Sequence, residues 1–302
     1  MSFSYPLILD GGLATQLERA HNKDLSGRLW SAVCLEQDPD AIRSVHEAYF
    51  AAGAQIATTA SYQASVPGLT AAGYSEEQAR QLLKRSVNLA REATAQAKNK
   101  GYVALSLGCY GALLANGAEY TGDYGDKTMH DLVAFHRDRL QPGVDLVLFE
   151  TVPSKVEAEA IVALLPEIQV PVGVSFVCKD NQHLADGNRL AECLALFRGT
   201  NVWAVGVNCT KPVYIPALVE QLDQHLEAQV ALLVYPDGGQ IWDAVRRDWI
   251  NAAVTPHDFA ASVVEAVRPV AGHRKLVLGG CCGTGPEHIQ KLKEEVSRIS
   301  DI

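Results

Sequence analysis

Eight short runs of Val, Ile, Leu and Ala recur along the chain, at 7–12, 54–61, 102–108, 145–151, 171–177, 204–210, 230–236 and 275–281. Near-continuous apolar runs of this length read as strands of a parallel sheet that is covered on both faces. Helical patterns lie between them. Residues 38–52 open on Asp38-Pro39, are apolar at Ile42, Val45 and Tyr49, and stop at Gly53, which is a helix with a glycine terminator. Residues 75–98 start with Ser75-Glu76-Glu77-Gln78, a capping-box opening. Further helices are predicted at 128–141, 154–165, 187–198, 212–227, 256–268 and 286–298, with Pro212 and Pro286 among the prolines found in first turns.

Strand alternating with helix eight times predicts a single (β/α)8 TIM-type barrel over residues 1–302, with a doubly wound open sheet as the runner-up. No composition break marks a second domain. One stretch departs from the alternation: 109–126, rich in Gly, Tyr and Asp, is an excursion after the third strand. Long loops on barrels tend to carry function.

Charge narrows the range of partners. The net charge is −9, and Lys/Arg cluster only in pairs such as Arg246-Arg247, so neither a nucleic-acid surface nor an anionic membrane surface is expected. Met1 to Pro6 has no basic start or long apolar stretch, and no run approaches the ~18 residues of a spanning helix. Seven cysteines, two of them adjacent, do not form the pattern of a secreted disulfide framework. A soluble protein of a reducing compartment, the cytoplasm, is the expectation.

In a barrel the active site lies at the C-terminal ends of the strands. The predicted strands end at Asp10-Gly11-Gly12, Ser61-Tyr62-Gln63, Glu150-Thr151, Asn208-Cys209-Thr210, Tyr235-Pro236-Asp237 and Gly279-Gly280-Cys281-Cys282-Gly283. Three cysteines, Cys209, Cys281 and Cys282, therefore fall at one mouth. The flanking glycines let the backbone leave the regular strand, so that two adjacent sulfurs can both aim inward. Three converging thiolates suggest Zn2+ with its fourth position open for substrate. Small buried cysteines also simply pack barrels, and Cys34, Cys178 and Cys193 are assigned to packing; Cys109 opens the 109–126 loop and is not assigned as a ligand. A competing reading takes Gly279 to Gly285 as a phosphate nest of a metal-free barrel enzyme. Asp10 and Glu150 are two carboxylates positioned to hold an amino-acid ammonium or to act as acid and base. Trp30, Tyr62, Tyr110, Tyr120 and Tyr124 offer an aromatic wall for a cationic ligand.

On these residues, across about 7–292, the chain resembles the homocysteine S-methyltransferase family, which includes zinc-dependent barrels of betaine and cobalamin-dependent methyltransferases. Asn208-Cys209 and Gly279-Gly280-Cys281-Cys282-Gly283 match the family's zinc motifs, while Asp10-Gly11-Gly12 and Glu150-Thr151 match its homocysteine-binding positions. The 110–124 loop, Leu29-Trp30-Ser31-Ala32 and Ala60-Ser61-Tyr62-Gln63 are similar to the branch that uses S-methylmethionine or S-adenosylmethionine. The resemblance implies homocysteine bound through Asp10, Gly11, Gly12 and Glu150, and a methyl donor met by Trp30, Tyr62, Gln63, Tyr110 and Tyr124. Cys109 and Asp237-Gly238 depart from the family's pattern at the mouth, where they bear on donor preference.

Overall fold

The structure, a computed structural model, describes residues 3–98, 100–239, 241–243, 248–250 and 254–298. Its strands in chain order are β1 (Leu7–Ile8), β2 (Ile56–Thr58), β3 (Tyr102–Gly108), β4 (Leu146–Val152), β5 (Val172–Phe176), β6 (Ala204–Asn208), β7 (Ala231–Tyr235), β8 (Ile241–Asp243), β9 (Asp248–Ile250) and β10 (Leu276–Leu278). Eight of them form one sheet in the order β1-β10-β7-β6-β5-β4-β3-β2, with every neighbouring pair parallel. A parallel bridge between Leu9 and Ile56, with Asp10 N–H donating to the Ile56 carbonyl at 3.0 Å, joins β2 back to β1. The sheet closes into the predicted (β/α)8 barrel, and the open sheet is excluded.

The alternation of side chains along each strand explains both the core and the site. Leu146 and Leu148 of β4, Ala204 of β6, and Ala231 and Leu233 of β7 belong with Leu7, Leu9, Ile56 and Val277 to one buried cluster, which fills the barrel. Val147, Phe149, Val205, Val207, Leu232 and Val234, one residue out of step, join the larger cluster shared with the helices. Successive residues of a strand point to opposite faces, so the next interior positions after these leucines and alanines are Glu150, Asn208 and Tyr235. All three are buried. The barrel is thus dry below and polar at its C-terminal rim.

Several elements differ from the sequence expectation. β1, β2 and β10 are shorter than their apolar runs, because the chain leaves the sheet at Asp10, Thr59 and Gly279 to build the rim. The 109–126 stretch holds a helix, Tyr110–Leu114, and a 3-10 turn, Ala118–Tyr120. Short helices at Leu13–His21 and Val66–Ala71 and the antiparallel hairpin β8–β9 fall where the pattern predicted none. The 75–98 helix is present as Glu76–Gln96 with its capping box formed by Ser75 and Gln78.

One buried cation fastens two of the rim segments together. Arg139, 1% exposed, follows helix Met129–Asp138 and spends its guanidinium on backbone carbonyls: Nε on Ala64 at 2.9 Å, Nη1 on Gly108 at 2.6 Å, and Nη2 on Ser61 and Tyr62 at 2.9 and 2.7 Å. Burial lowers its pKa to about 10, so it stays charged at neutral pH. Arg139→Met should take a donor from each of these four carbonyls, leaving those of Ala64 and Gly108 with none from the described side chains around them, and cost about 3–5 kcal/mol, with Arg139→Lys recovering only part because it lacks the planar fork. Urea unfolding of the two variants beside the parent checks this.

Candidate metal centre and substrate pocket

The three predicted cysteines meet. The sulfurs of Cys209, Cys281 and Cys282 all lie within 4.8 Å of one another, with Cys209 and Cys281 joined as a disulfide and Cys282 Sγ 3.8 Å from Cys209 Sγ. This bond links two members of the predicted ligand trio and is not the staple of a framework. Cys34, Cys178 and Cys193 are buried in the helix-facing core, as assigned, and Cys109 is buried outside the trio.

Tetrahedral zinc with bonds of about 2.3 Å spaces its sulfur ligands by roughly 3.8 Å, which is the Cys209–Cys282 separation. Reduction of the Cys209–Cys281 bond presents three sulfurs from two chain segments in one cluster, so the donor set fits a metal that prefers thiolate. The glycine run serves close packing: a Cβ on Gly279 would lie 2.7 Å from the Leu9 side chain and one on Gly280 2.3 Å from Thr284 Oγ1. Six of the seven amides from Gly279 to Gly285 are spent. Gly279 N–H donates to the Val234 carbonyl, Gly280 to Asp10, Cys281 to Pro236, Gly283 to Thr15 Oγ1, Thr284 to Cys281 and Gly285 to His288 Nδ1. A phosphate nest needs converging unpaired amides, so that competing reading is overturned.

Backbone geometry aims the neighbouring groups. Cys209 and Thr151 both lie in the left-handed region, at φ 43° and 59°, a conformation that costs a non-glycine residue on the order of 1–3 kcal/mol. The Asn208 side chain holds both ends of Thr151: Oδ1 accepts from the Thr151 amide and Nδ2 donates to Thr151 Oγ1, each at 2.8 Å. The β4–β5 register shifts between Phe149 and Val152, and this irregularity turns the chain at Glu150. Asn208 Nδ2 also approaches Cys281 Sγ at 3.8 Å, and Ser175 Oγ donates to Asn208 Oδ1 at 2.7 Å. Ser175 also bonds the Tyr235 hydroxyl, which lies 3.2 Å from Glu150 Oε2; with the Ser175 proton given to Asn208, Tyr235 donates to Ser175 and a protonated Glu150 donates to Tyr235, or Tyr235 donates to an ionised Glu150 instead. One chain of hydrogen bonds therefore runs from a cysteine of the trio to the Glu150 carboxylate.

Both predicted carboxylates sit at this rim. Asp10 accepts from the Thr58 amide at 2.7 Å and from Thr58 Oγ1 at 3.1 Å. Burial raises its pKa well above the carboxylate range, and the charge of Glu150 adds to the rise. Burial also lifts Glu150 to about 7, against hydrogen bonds from Ser106 and Tyr235. Glu150 Oε1 is buried with no hydrogen-bond partner among the described residues. Arg139 acts on Glu150 only as the smallest of these influences. Among the described residues no cation bonds to this pair of carboxylates directly.

The remaining predicted residues divide. Gly11 and Gly12 are where the chain passes Thr284, Tyr49 and the Cys281 carbonyl; a Cβ would meet Thr284 Oγ1 at 2.9 Å and the Cys281 carbonyl at 2.7 Å, respectively. The Gly12 amide is spent on Thr284. Trp30 and Tyr62 pack edge to face at 6.1 Å. Gln63 straps two loops by donating to the carbonyls of Arg28 and Ala112 at 3.0 and 2.8 Å. Tyr110 and Tyr124 pack on each other at 5.4 Å and belong to a satellite core, with Tyr110 also on Phe135. Spacing gave no role to Glu157, which is fully buried and accepts from the Tyr110 amide at 2.8 Å, from Tyr124 OH at 2.6 Å and pairs with His136 at 2.8 Å. Ser175 was likewise not singled out, and Asn208 and Tyr235 were placed at the strand ends without a role of their own, although counting by twos from the interior residues of each strand reaches all three.

The model of the homocysteine S-methyltransferase family matches residues 7–296. Homocysteine S-methyltransferase 2 of Zea mays is 41% identical over 97% of this chain and 90% of its own length, and selenocysteine Se-methyltransferase of Brassica oleracea var. italica is 41% identical over the same shares. Among solved structures, the metallated form of the homocysteine methyltransferase MmuM from Escherichia coli superposes with a TM-score of 0.81 at 38% identity, covering 96% of each chain.

This chain belongs to the homocysteine S-methyltransferase family. As a member it is a methyltransferase whose acceptor is homocysteine, and its cysteine trio is a cluster able to bind a metal ion. Among the described residues no helix is long and apolar enough to cross a membrane.

The Glu150 environment predicts a pH effect on the ligand-free enzyme. Its carboxyl ionises near 4.5 when unfolded and near 7 when folded, so the native state binds the proton more tightly and loses stability as pH rises through that window. The loss from this one group comes to about 3 kcal/mol. Glu150→Gln should not show it, and unfolding curves of parent and variant at pH 4.5 and pH 7.5 should converge at the acid end and separate, with the variant more stable, at the other.

Proposed function

We propose that this enzyme makes methionine by moving a methyl group from a sulfonium donor, S-methylmethionine or S-adenosylmethionine, to the zinc-activated sulfur of homocysteine. The observation that carries the reading is the meeting, at one barrel rim, of three cysteine sulfurs and a buried carboxylate oxygen without a partner. Cys209, Cys281 and Cys282 in their reduced form hold the zinc. When bound, zinc supplies deprotonation of a thiol near neutral pH and a fourth coordination position for it.

The chain's own residues then do the positioning. Glu150 and Asp10 take the homocysteine ammonium, which neutralises charge that is costly to bury. Tyr235 and Ser175 keep Glu150 in place, and Asn208 holds both the strained Thr151 and a ligand sulfur. Gly11, whose neighbour Gly12 has spent its amide, is the backbone group for the carboxylate. The acceptor is thereby fixed at both ends, so the reaction draws on orientation. Trp30 and Tyr62 form the aromatic part of the donor site, with Gln63 setting the spacing of the loops that carry it; Tyr110 and Tyr124 act from beneath. The leaving thioether departs neutral, so no protein acid is required to protonate it. The thiolate form of the trio suits the reducing environment of the cytoplasm.

Metal content and turnover test the proposal together. Reduced, metal-replete protein should carry stoichiometric zinc and form methionine from homocysteine with S-methylmethionine or S-adenosylmethionine, and not with betaine. Cys281→Ala should lose both zinc and turnover while keeping its melting transition. A variant with full zinc and full turnover would remove Cys281 from the site, and metal-free parent protein turning over at the same rate would overturn the thiolate mechanism.

A further inference from the structure

The loop after β3 carries a carboxylate that the reaction as described leaves unused. Glu119 lies on the 3-10 turn Ala118–Tyr120, and its Oε2 is buried with no hydrogen-bond partner among the described residues. Burial raises its pKa, opposed only by its own backbone amide. Such an oxygen would ordinarily turn outward to water. Here the loop prevents it.

The restraint is visible at three levels. Gly111 packs so tightly on the turn that a Cβ would lie 2.4 Å from the Glu119 amide nitrogen and 2.6 Å from the Ala118 carbonyl carbon. The turn is closed by Tyr120 N–H to the Gly117 carbonyl at 2.9 Å and Gly122 N–H to Ala118 at 2.8 Å, and Asn116 Oδ1 accepts from the Ala118 amide at 3.1 Å. Beneath it, buried Glu157 fastens both ends of the loop through the Tyr110 amide and the Tyr124 hydroxyl. The turn so fixed lies beside the loop of the donor site: the carbonyl of Ala112, next to Gly111, accepts from Gln63 Nε2 at 2.8 Å, and the Glu119 charge reaches Tyr62 and Cys282. Glu119 thus stands beside the Tyr62-Gln63 segment that carries the aromatic part of the donor site.

A methyl group handed to a sulfur at the trio must arrive on a positive sulfur in that same space. We propose that Glu119 is the counter-ion of the donor's sulfonium, the residue by which the site tells a sulfonium from a neutral thioether. The assignment rests on the sulfonium-donor reading given above. In the transfer, the acceptor thiolate forms the new S–CH3 bond as the old one breaks, and the bonding pair returns to the leaving sulfur, which becomes neutral. The attraction to Glu119 is therefore strongest before transfer and gone afterwards. A contact stronger in the ground state than in the transition state tightens binding without raising turnover. It also releases the demethylated product, which no longer carries the charge.

Glu119→Gln keeps the shape and removes the charge. At saturating homocysteine it should raise the KM for S-methylmethionine by at least about tenfold, leave the KM for homocysteine within about twofold, and not lower kcat; Glu119→Asp should recover part of the loss. Calorimetric titration of S-methylmethionine into protein saturated with methionine, where no thiol accepts the methyl group, should show the same weakening without any turnover. An unchanged donor KM and unchanged titration in Glu119→Gln would overturn the assignment while leaving the donor reading intact. So would KM values for both substrates rising together with a lowered melting temperature, which is the mark of a merely structural loop residue. Parent protein that neither binds nor uses any sulfonium would overturn the donor reading and this assignment with it.

Discussion

The two-residue repeat of a strand inside a closed parallel barrel is the constraint on which the rest of this molecule depends. Once β2 is bridged to β1, the same alternation that buries Leu146, Leu148, Ala204, Ala231 and Leu233 in the barrel carries Glu150, Asn208 and Tyr235 inward at the next turn of the pattern. All three are buried there. They must find partners in one another, and they do so in a chain from Glu150 through Tyr235, Ser175 and Asn208 to Cys281. The fold thereby connects the end that would hold an ammonium with the end that would hold a metal.

Satisfaction is incomplete in a consistent direction. Among the described residues Glu150 Oε1 and Glu119 Oε2 are buried acceptors without donors, Asp10 is pushed up by burial, and Thr151 and Cys209 occupy the left-handed region. Each of these features costs stability in the ligand-free protein, and they gather at one rim of a barrel whose interior is otherwise filled with apolar side chains. Functional sites are where a fold tolerates such conflicts. In the function proposed above, the positively charged groups of the substrates would relieve them, and the free energy withheld from folding would return as selectivity for those groups. Arg139 and Glu157 are the complementary devices: buried and engaged, Arg139 holds the segment 61–64 to the end of β3, and Glu157 holds the loop that carries Glu119.

Much of this was legible along the chain. The eight apolar runs mark the strands, and the cysteines after β6 and β10 mark the metal-binding cluster because strand ends share one rim in a barrel. Capping residues such as Ser75 and Asp38 start their helices as local chemistry requires. The reading failed where elements are short or where contacts alone decide them. Helix Val66–Ala71 and the β8–β9 hairpin carry too few residues for a period to stand out. The glycines around Cys281 and Cys282 read equally well as an anion nest until their amides are seen to be spent on Val234, Asp10, Pro236 and Thr15.

Sequence by itself determined the barrel, the rim and the cysteine trio, since these follow from periodicity and from position relative to strand ends, which are properties of neighbouring residues. Tertiary structure alone decided what surrounds them. Thr58 meets Asp10, Asn208 meets Thr151, and the Glu119 charge reaches Cys282 far along the chain, only because closing the sheet and folding back the 109–126 loop bring them together. Burial, hydrogen-bond partners and the resulting proton affinities depend on that three-dimensional neighbourhood, and separation along the chain carries no record of it.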